Sequence, residues 1–161
     1  DQYWAEPLDY AKKRGITLVL ENEAHDVTRH PETTAKIVEH FHDSAFKTNL
    51  DAVNYFHASE EGFPAAYEIL KPYIGYVHLK NACLYREGAG QEKRDQGAPM
   101  SGIYEGRPIP DGSVNIGGLI NRILEDDLYH GTCTLEPHTT PDRVEYFCER
   151  ETGWLREHQF I

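Results

Sequence analysis

The chain has 161 residues, enough for one domain with a buried core, and sets 16 Lys and Arg against 27 Asp and Glu for a formal net charge of −11. That balance repels a phosphate backbone and argues against nucleic acid as a partner. No apolar run approaches the ~20 residues that cross a bilayer, the opening DQYWAEPLDY is unlike a signal peptide, and Cys83, Cys133 and Cys148 form no CxxC pair, so the expectation is a cytoplasmic protein with no membrane partner, disulfide framework or thiolate zinc site.

In chain order, Tyr3, Trp4, Leu8, Tyr10 and Ala11 recur at helical spacing, and Gly15 closes that segment as a C-cap glycine would. The apolar run Ile16 to Asn22, ITLVLEN, then predicts a strand ending in Glu21. A loop and a helix follow, with Pro31 suited to a first helical turn and Ile37, Val38 and Phe41 as a buried stripe. Ala45 to Val53 predicts the second strand. The next helix, EEGFPAAYEILKPY, turns Ala65, Ile69 and Leu70 inward and ends at Pro72. The third strand spans Ile74 to Asn81 and runs into a long stretch, Ala82 to about Pro110, rich in Gly, Pro and charge, which reads as either a lid or filler. GSVNIGGLINRILEDDLYHG predicts a helix with Leu119, Ile120, Ile123 and Leu124 inward. The strand TCTLEPH and a helix from Pro141 to about His158 complete the chain.

Strands alternating with helices predict a parallel sheet of four βα units in one domain, with ligand sites at the carboxyl ends of the strands. The four strands carry Glu21, Asp51, His78 and Glu136 at those ends. Each has an ordinary explanation, since a carboxylate there often caps the next helix and a histidine near a core is often structural. Taken together they say more. Period-two alternation places Thr17, Val19 and Glu21; Asn49 and Asp51; Tyr76, His78 and Lys80; and Thr132, Thr134 and Glu136 on one face. Leu18, Leu20, Leu50, Val77, Leu79, Cys133 and Leu135 fall on the other, where helices would cover them. Three carboxylates sharing one centre need a counter-charge, and a divalent cation supplies it; three carboxylate donors and an imidazole suit Mn, Mg, Co or Zn.

The motifs LVLEN, NLDAVN, VHLKN, IPDGSVNIGGLINRIL and TLEPH together resemble the C-terminal part of a xylose isomerase-like TIM barrel, the superfamily of sugar and sugar-phosphate isomerases and epimerases. The resemblance implies an α/β fold corresponding to about strands 5–8 of a (β/α)8 barrel, a partial barrel domain over residues 1–161. It implies that Glu21, Asp51, His78 and Glu136 hold the divalent metal. It also implies that Glu21 and Glu136 act as the catalytic acid/base pair on a small sugar, keto-sugar or polyol, one removing a proton to give an enediolate and the other returning it.

The chain differs from that pattern at named positions. Many members carry a histidine three residues after the strand aspartate, where this chain has Asn54, with His57 three further on. Tagatose-type epimerases carry an arginine soon after the metal histidine, where Lys80 and Asn81 stand here and the nearest arginine is Arg86. Asn54, His57, Lys80 and His138 are therefore candidate substrate contacts, Lys80 either holding a hydroxyl or phosphate or balancing Glu21 and Glu136. His25 and His138, each following a strand-end glutamate, read either as contacts to substrate hydroxyls or, more simply, as surface histidines, and Glu23 reads as lying past the strand end. A complete barrel has eight strands and about 250 residues, so four strands predict open edges and either self-association as a homo-oligomer or pairing with the missing barrel half. The leading expectation is an isomerase or epimerase; the alternatives are an inosose dehydratase-type lyase, an inactive or partner-binding half-barrel, and, disfavoured by the charge, an apurinic endonuclease-type enzyme.

Overall fold

A computed structural model describes residues 3–84 and 104–161. The strands β1 (Leu18–Glu21), β2 (Phe46–Asp51), β3 (Ile74–Leu79), β4 (Asn81–Leu84), β5 (Tyr104–Arg107) and β6 (Cys133–Leu135) are interleaved with helices α1 (Ala5–Arg14), α2 (Pro31–Phe41), α3 (Ala52–His57), α4 (Tyr67–Leu70), α5 (Ile116–Asp126) and α6 (Val144–Glu157). Four strands form one sheet in the order β1-β2-β3-β6, every pair parallel. β4 and β5 form a separate antiparallel ribbon.

Local chemistry explains most boundaries. Gly15, at φ 65°, ends α1 in the left-handed region that glycine enters without a Cβ clash. Pro31 opens α2, where its missing N–H costs nothing. The Asn115 side chain accepts from the Gly118 N–H to start α5.

Packing follows the strand alternation. Leu50, Val77 and Leu79 are buried beneath Val53, Tyr67, Leu70, Leu119, Ile120 and Leu155, while Leu18 and Leu20 pack with Leu8, Val38 and Phe46 under α1 and α2. Fully burying a side chain such as Leu50 or Val77 contributes about 1.5–3 kcal/mol, so this face holds the helices on. The opposite face is left to polar residues.

Several expectations need correction. The second strand does not run to Val53 or Asn54: it stops at Asp51, whose carboxylate caps α3 and turns the backbone into helix two to three residues early. The stretch from Ala82 to Pro110 is not irregular at its ends, because Asn81–Leu84 and Tyr104–Arg107 pair as β4 and β5. Its centre, with Arg86, lies outside the described residues. In the fourth helical segment regular helix begins only at Tyr67, so Ala66 and Tyr67 face the core and Ala65 is exposed. Leu124 is exposed because Ile116, Leu119 and Ile123 set the buried stripe of α5 and leave it at the margin.

Candidate metal and catalytic site

Sheet register brings the strand tips together. Glu21 lies beside Asn49, Asp51 beside His78 and His78 beside Thr134, while the Glu136 N–H, just past β6, donates to the Leu79 carbonyl. Parallel pairing with period-two alternation puts Glu21, Asp51, His78 and Glu136 on one face at the carboxyl ends of neighbouring strands. One donor atom from each of the four lies within 4.8 Å of the others.

The imidazole is central. His78 Nδ1 lies 2.9 Å from Glu21 Oε1, 3.3 Å from Glu136 Oε2 and 3.9 Å from Asp51 Oδ2. Lys80, two residues on and so on the same face, sets its Nζ 2.7 Å from Asp51 Oδ2 and 2.9 Å from Glu136 Oε2. Burial works against the Lys80 ammonium, but Asp51 and Glu136 outweigh it and hold the group charged.

The two glutamates are driven apart. Burial pushes the Glu21 carboxyl up, opposed by His78 and reinforced by the anions of Asp51 and Glu136. Glu136 goes down to about 2, held by the His138 imidazole, Lys80 and His78 against its own burial. One carboxylate is therefore the readier proton acceptor and the other the more persistent anion.

Buried asparagines fix the backbone beneath these groups. Asn22, one residue past β1, donates from Nδ2 to the Asp51 carbonyl at 2.9 Å and accepts from the Asp51 N–H at 2.8 Å, imitating one rung of a sheet. Asn54 donates to the Asn22 carbonyl at 2.9 Å, so this candidate substrate contact is engaged in holding the strand ends. Asn49 approaches the His78 ring from below, Nδ2 to Nδ1 3.1 Å. Asn81 donates to the carbonyls of Ile109 and Val114, tying β4 to the segment that enters α5.

The other candidates divide. His138 lies beside the site, Nε2 3.3 Å from Lys80 Nζ and 3.6 Å from Glu136 Oε2. It is kept there by β5, since a Cβ on Gly106 would sit 2.0 Å from the His138 carbonyl oxygen. His57 packs on the Tyr104 ring with centroids 4.8 Å apart, and its buried Nε2 has no hydrogen-bond partner among the described residues. Burial, with Lys80 and His138 nearby, pushes that imidazole down to about 4, so it is neutral at physiological pH. His25 is an exposed residue 3.7 Å from Glu23, away from the cluster. Alternation reached the face that holds Asn49 but gave no reason to single it out; Asn22, past the strand end, left no periodic signal at all.

The sequence profile described as Xylose isomerase-like TIM barrel matches residues 2–161. The chain belongs to this family. Solved structures agree on the fold of the xylose isomerase-like chain. A probable 3-DHS dehydratase involved in petrobactin synthesis, from Bacillus anthracis, superposes with a TM-score of 0.66 at 16% identity over 91% of this chain and 52% of that one. A xylose isomerase domain protein from Planctomyces limnophilus gives 0.68 at 12% identity over 96% and 49%. A xylose isomerase-like TIM barrel protein from Mycobacterium smegmatis, in complex with magnesium, gives 0.64 at 23% identity over 93% and 48%. The chain thus spans about half the length of these structures. A search of curated proteins finds no significant match.

The donor set fits a metal ion. Three carboxylates and a neutral imidazole are the hard and borderline donors that Mg, Mn, Co and Zn accept. Asp51 Oδ2, fully buried, makes no hydrogen bond within the described residues beyond its ion pair with Lys80, and faces the cluster. The cluster could hold a metal ion.

Proposed function

We propose that this chain carries the catalytic residues of a divalent-metal-dependent isomerase or epimerase acting on a small sugar, keto-sugar or polyol, and that its four parallel strands correspond to about strands 5–8 of a (β/α)8 barrel. The observation that carries the reading is the convergence of Glu21, Asp51, His78 and Glu136 within 4.8 Å at the carboxyl ends of four strands. These four would hold the metal. A bound divalent ion would polarise a substrate carbonyl and lower the pKa of the adjacent carbon acid.

The protein's own groups then divide the work. Glu21, with its carboxyl pushed up, is the better acceptor for a proton on the carbon next to the carbonyl. Glu136, across the site, is the other member of the pair and the group that returns a proton to the enediolate; His138, its Nε2 3.6 Å from Glu136 Oε2, is the neighbour placed to resupply that proton, while Lys80 stays an ammonium. His138 and Lys80 also carry donors for substrate hydroxyls; the His57 ring nitrogen Nε2 is buried and not open to one. Asn22 and Asn54 keep Asp51 in place. The remaining barrel wall lies outside these four strands, whether in a second copy or in the other half of the barrel.

A second reading shares the first step. A dehydratase-type lyase abstracts the same proton and then expels a hydroxyl, and one structure of the same fold is described as a probable 3-DHS dehydratase. The assay separates the two: with Mn2+ or Mg2+ present, ketoses and inososes are incubated with the protein, and product at unchanged mass supports the isomerase whereas loss of water supports the lyase. Glu136→Gln is expected to fold and to lose about 10²–10⁴-fold in turnover. Metal content of both proteins is measured in parallel by elemental analysis. Absence of metal from wild type and variant alike sinks the four-residue reading, and metal binding without turnover, in a chain whose longer relative is active, favours a partner-dependent half-barrel.

A further inference from the structure

We propose that Lys80 is a built-in counter-cation that sets both the affinity and the preferred valence of the metal site, a role that rests on the metal reading above. Lys80 is almost entirely buried, its side chain 2% exposed. An ammonium is not taken out of water without partners. Its partners here are two of the proposed metal ligands: Nζ lies 2.7 Å from Asp51 Oδ2 and 2.9 Å from Glu136 Oε2. It therefore competes for the same oxygens that a metal would use.

The charges define what the site wants. Glu21, Asp51 and Glu136 contribute three negative charges, His78 is neutral as a ligand, and Lys80 returns one positive charge. The balance is two negative charges, which one divalent ion cancels and a trivalent ion overshoots. Removing Lys80 leaves three negative charges around a half-buried site. Attraction between the site and an incoming ion then rises in proportion to the ion's charge, so both divalent and trivalent ions gain, the trivalent more. Lys80 acting solely as a contact for substrate would leave metal affinity in the absence of substrate unchanged.

The experiment titrates the full chain with Mn2+ and, separately, with Tb3+ by calorimetry, without substrate, for wild type, Lys80→Gln and Lys80→Arg. Lys80→Gln is expected to bind Mn2+ about tenfold or more tightly than wild type and to gain still more for Tb3+. Lys80→Arg, which keeps the charge, is expected to stay within about threefold of wild type. Metal-free Lys80→Gln should also melt below wild type, with Mn2+ restoring most of the difference, because the ion replaces the lost counter-charge. Unchanged or weaker Mn2+ binding by folded Lys80→Gln overturns the proposal. So does a Lys80→Gln chain that stays unfolded at saturating Mn2+. A wild-type chain that binds neither ion removes the metal reading and the Lys80 role with it, whereas normal wild-type binding with no gain in the variant removes the Lys80 role alone.

Discussion

Glu151 shows how one side chain far from the site controls stability. It sits on α6 with no exposed surface, and neither carboxyl oxygen has a hydrogen-bond partner within the described residues. Burial raises its pKa from 4.5 to about 7. The folded state therefore holds this proton more tightly than the unfolded state does. Stability from Glu151 is fully present below the unfolded value of 4.5 and is lost as pH rises through about 7. Glu151→Gln should match wild type near pH 4 and exceed it by on the order of 2 kcal/mol near pH 8; chemical denaturation at the two pH values measures this, and an equal gain at both would point to packing instead.

At the same scale, alternation in ITLVLEN, YVHLKN and TCTLEPH made Glu21, His78, Lys80 and Glu136 legible, because period two is a property of the strand itself. Asn22 and Asn81 were not legible. Each acts through amide hydrogen bonds to backbone 28 to 33 residues away, and nothing in a single sequence marks such a partner. Asn22→Ala is expected to cost about 1–3 kcal/mol, because it leaves the Asp51 N–H and carbonyl without those bonds, and to weaken Mn2+ binding; urea unfolding and metal titration on the same preparation test both effects.

Among the elements, the β4–β5 ribbon was the feature least accessible to sequence. YEGR at Tyr104–Arg107 has no apolar alternation, and its partner strand lies about twenty residues upstream in the chain. What the ribbon does depends on one missing side chain. Gly106 lets β5 lie against the segment after β6, and a methyl group there would meet the His138 carbonyl oxygen at 2.0 Å. Gly106→Ala should therefore cost about 1–3 kcal/mol and displace His138 from Lys80. Gly153, on α6 with nothing within 4 Å of its would-be Cβ, is the control, and Gly153→Ala should stabilise by up to about 1 kcal/mol. Comparable losses in the two variants would show that β5 does not press on His138. Helix α3 teaches a related lesson: strand pattern continued through Ala52 and Val53, but Asp51 accepting from the N–H groups of Val53 and Asn54 started a helix there, and capping overrode propensity.

For the whole molecule, the division between an apolar and a polar sheet face was visible in the sequence because four strands repeat the same alternation. Their order could be anticipated from right-handed βα connections. No helix among the described residues is long and apolar enough to cross a membrane. The net charge of −11 gives the molecule a field that disfavours nucleic acid. Binding to an abasic duplex at about 0.15 M salt is expected to be undetectable by electrophoretic mobility shift, and tight binding there would revive the endonuclease-type alternative.

Asp51 serves two masters with its two oxygens. Oδ1 accepts the N–H groups of Val53 and Asn54 that begin α3, while Oδ2 faces Lys80 and the other candidate ligands. Asparagine keeps the capping oxygen and loses the anion; glutamate keeps the anion, but its extra methylene moves the carboxylate away from the cap. A lineage that abandoned the chemistry would thus still be constrained to a short oxygen-bearing side chain here, and would drift first at Glu21 and Glu136, which support no helix. Inheritance of the fold and inheritance of the activity leave different marks on the same four residues, and Asp51 is the one that records the fold.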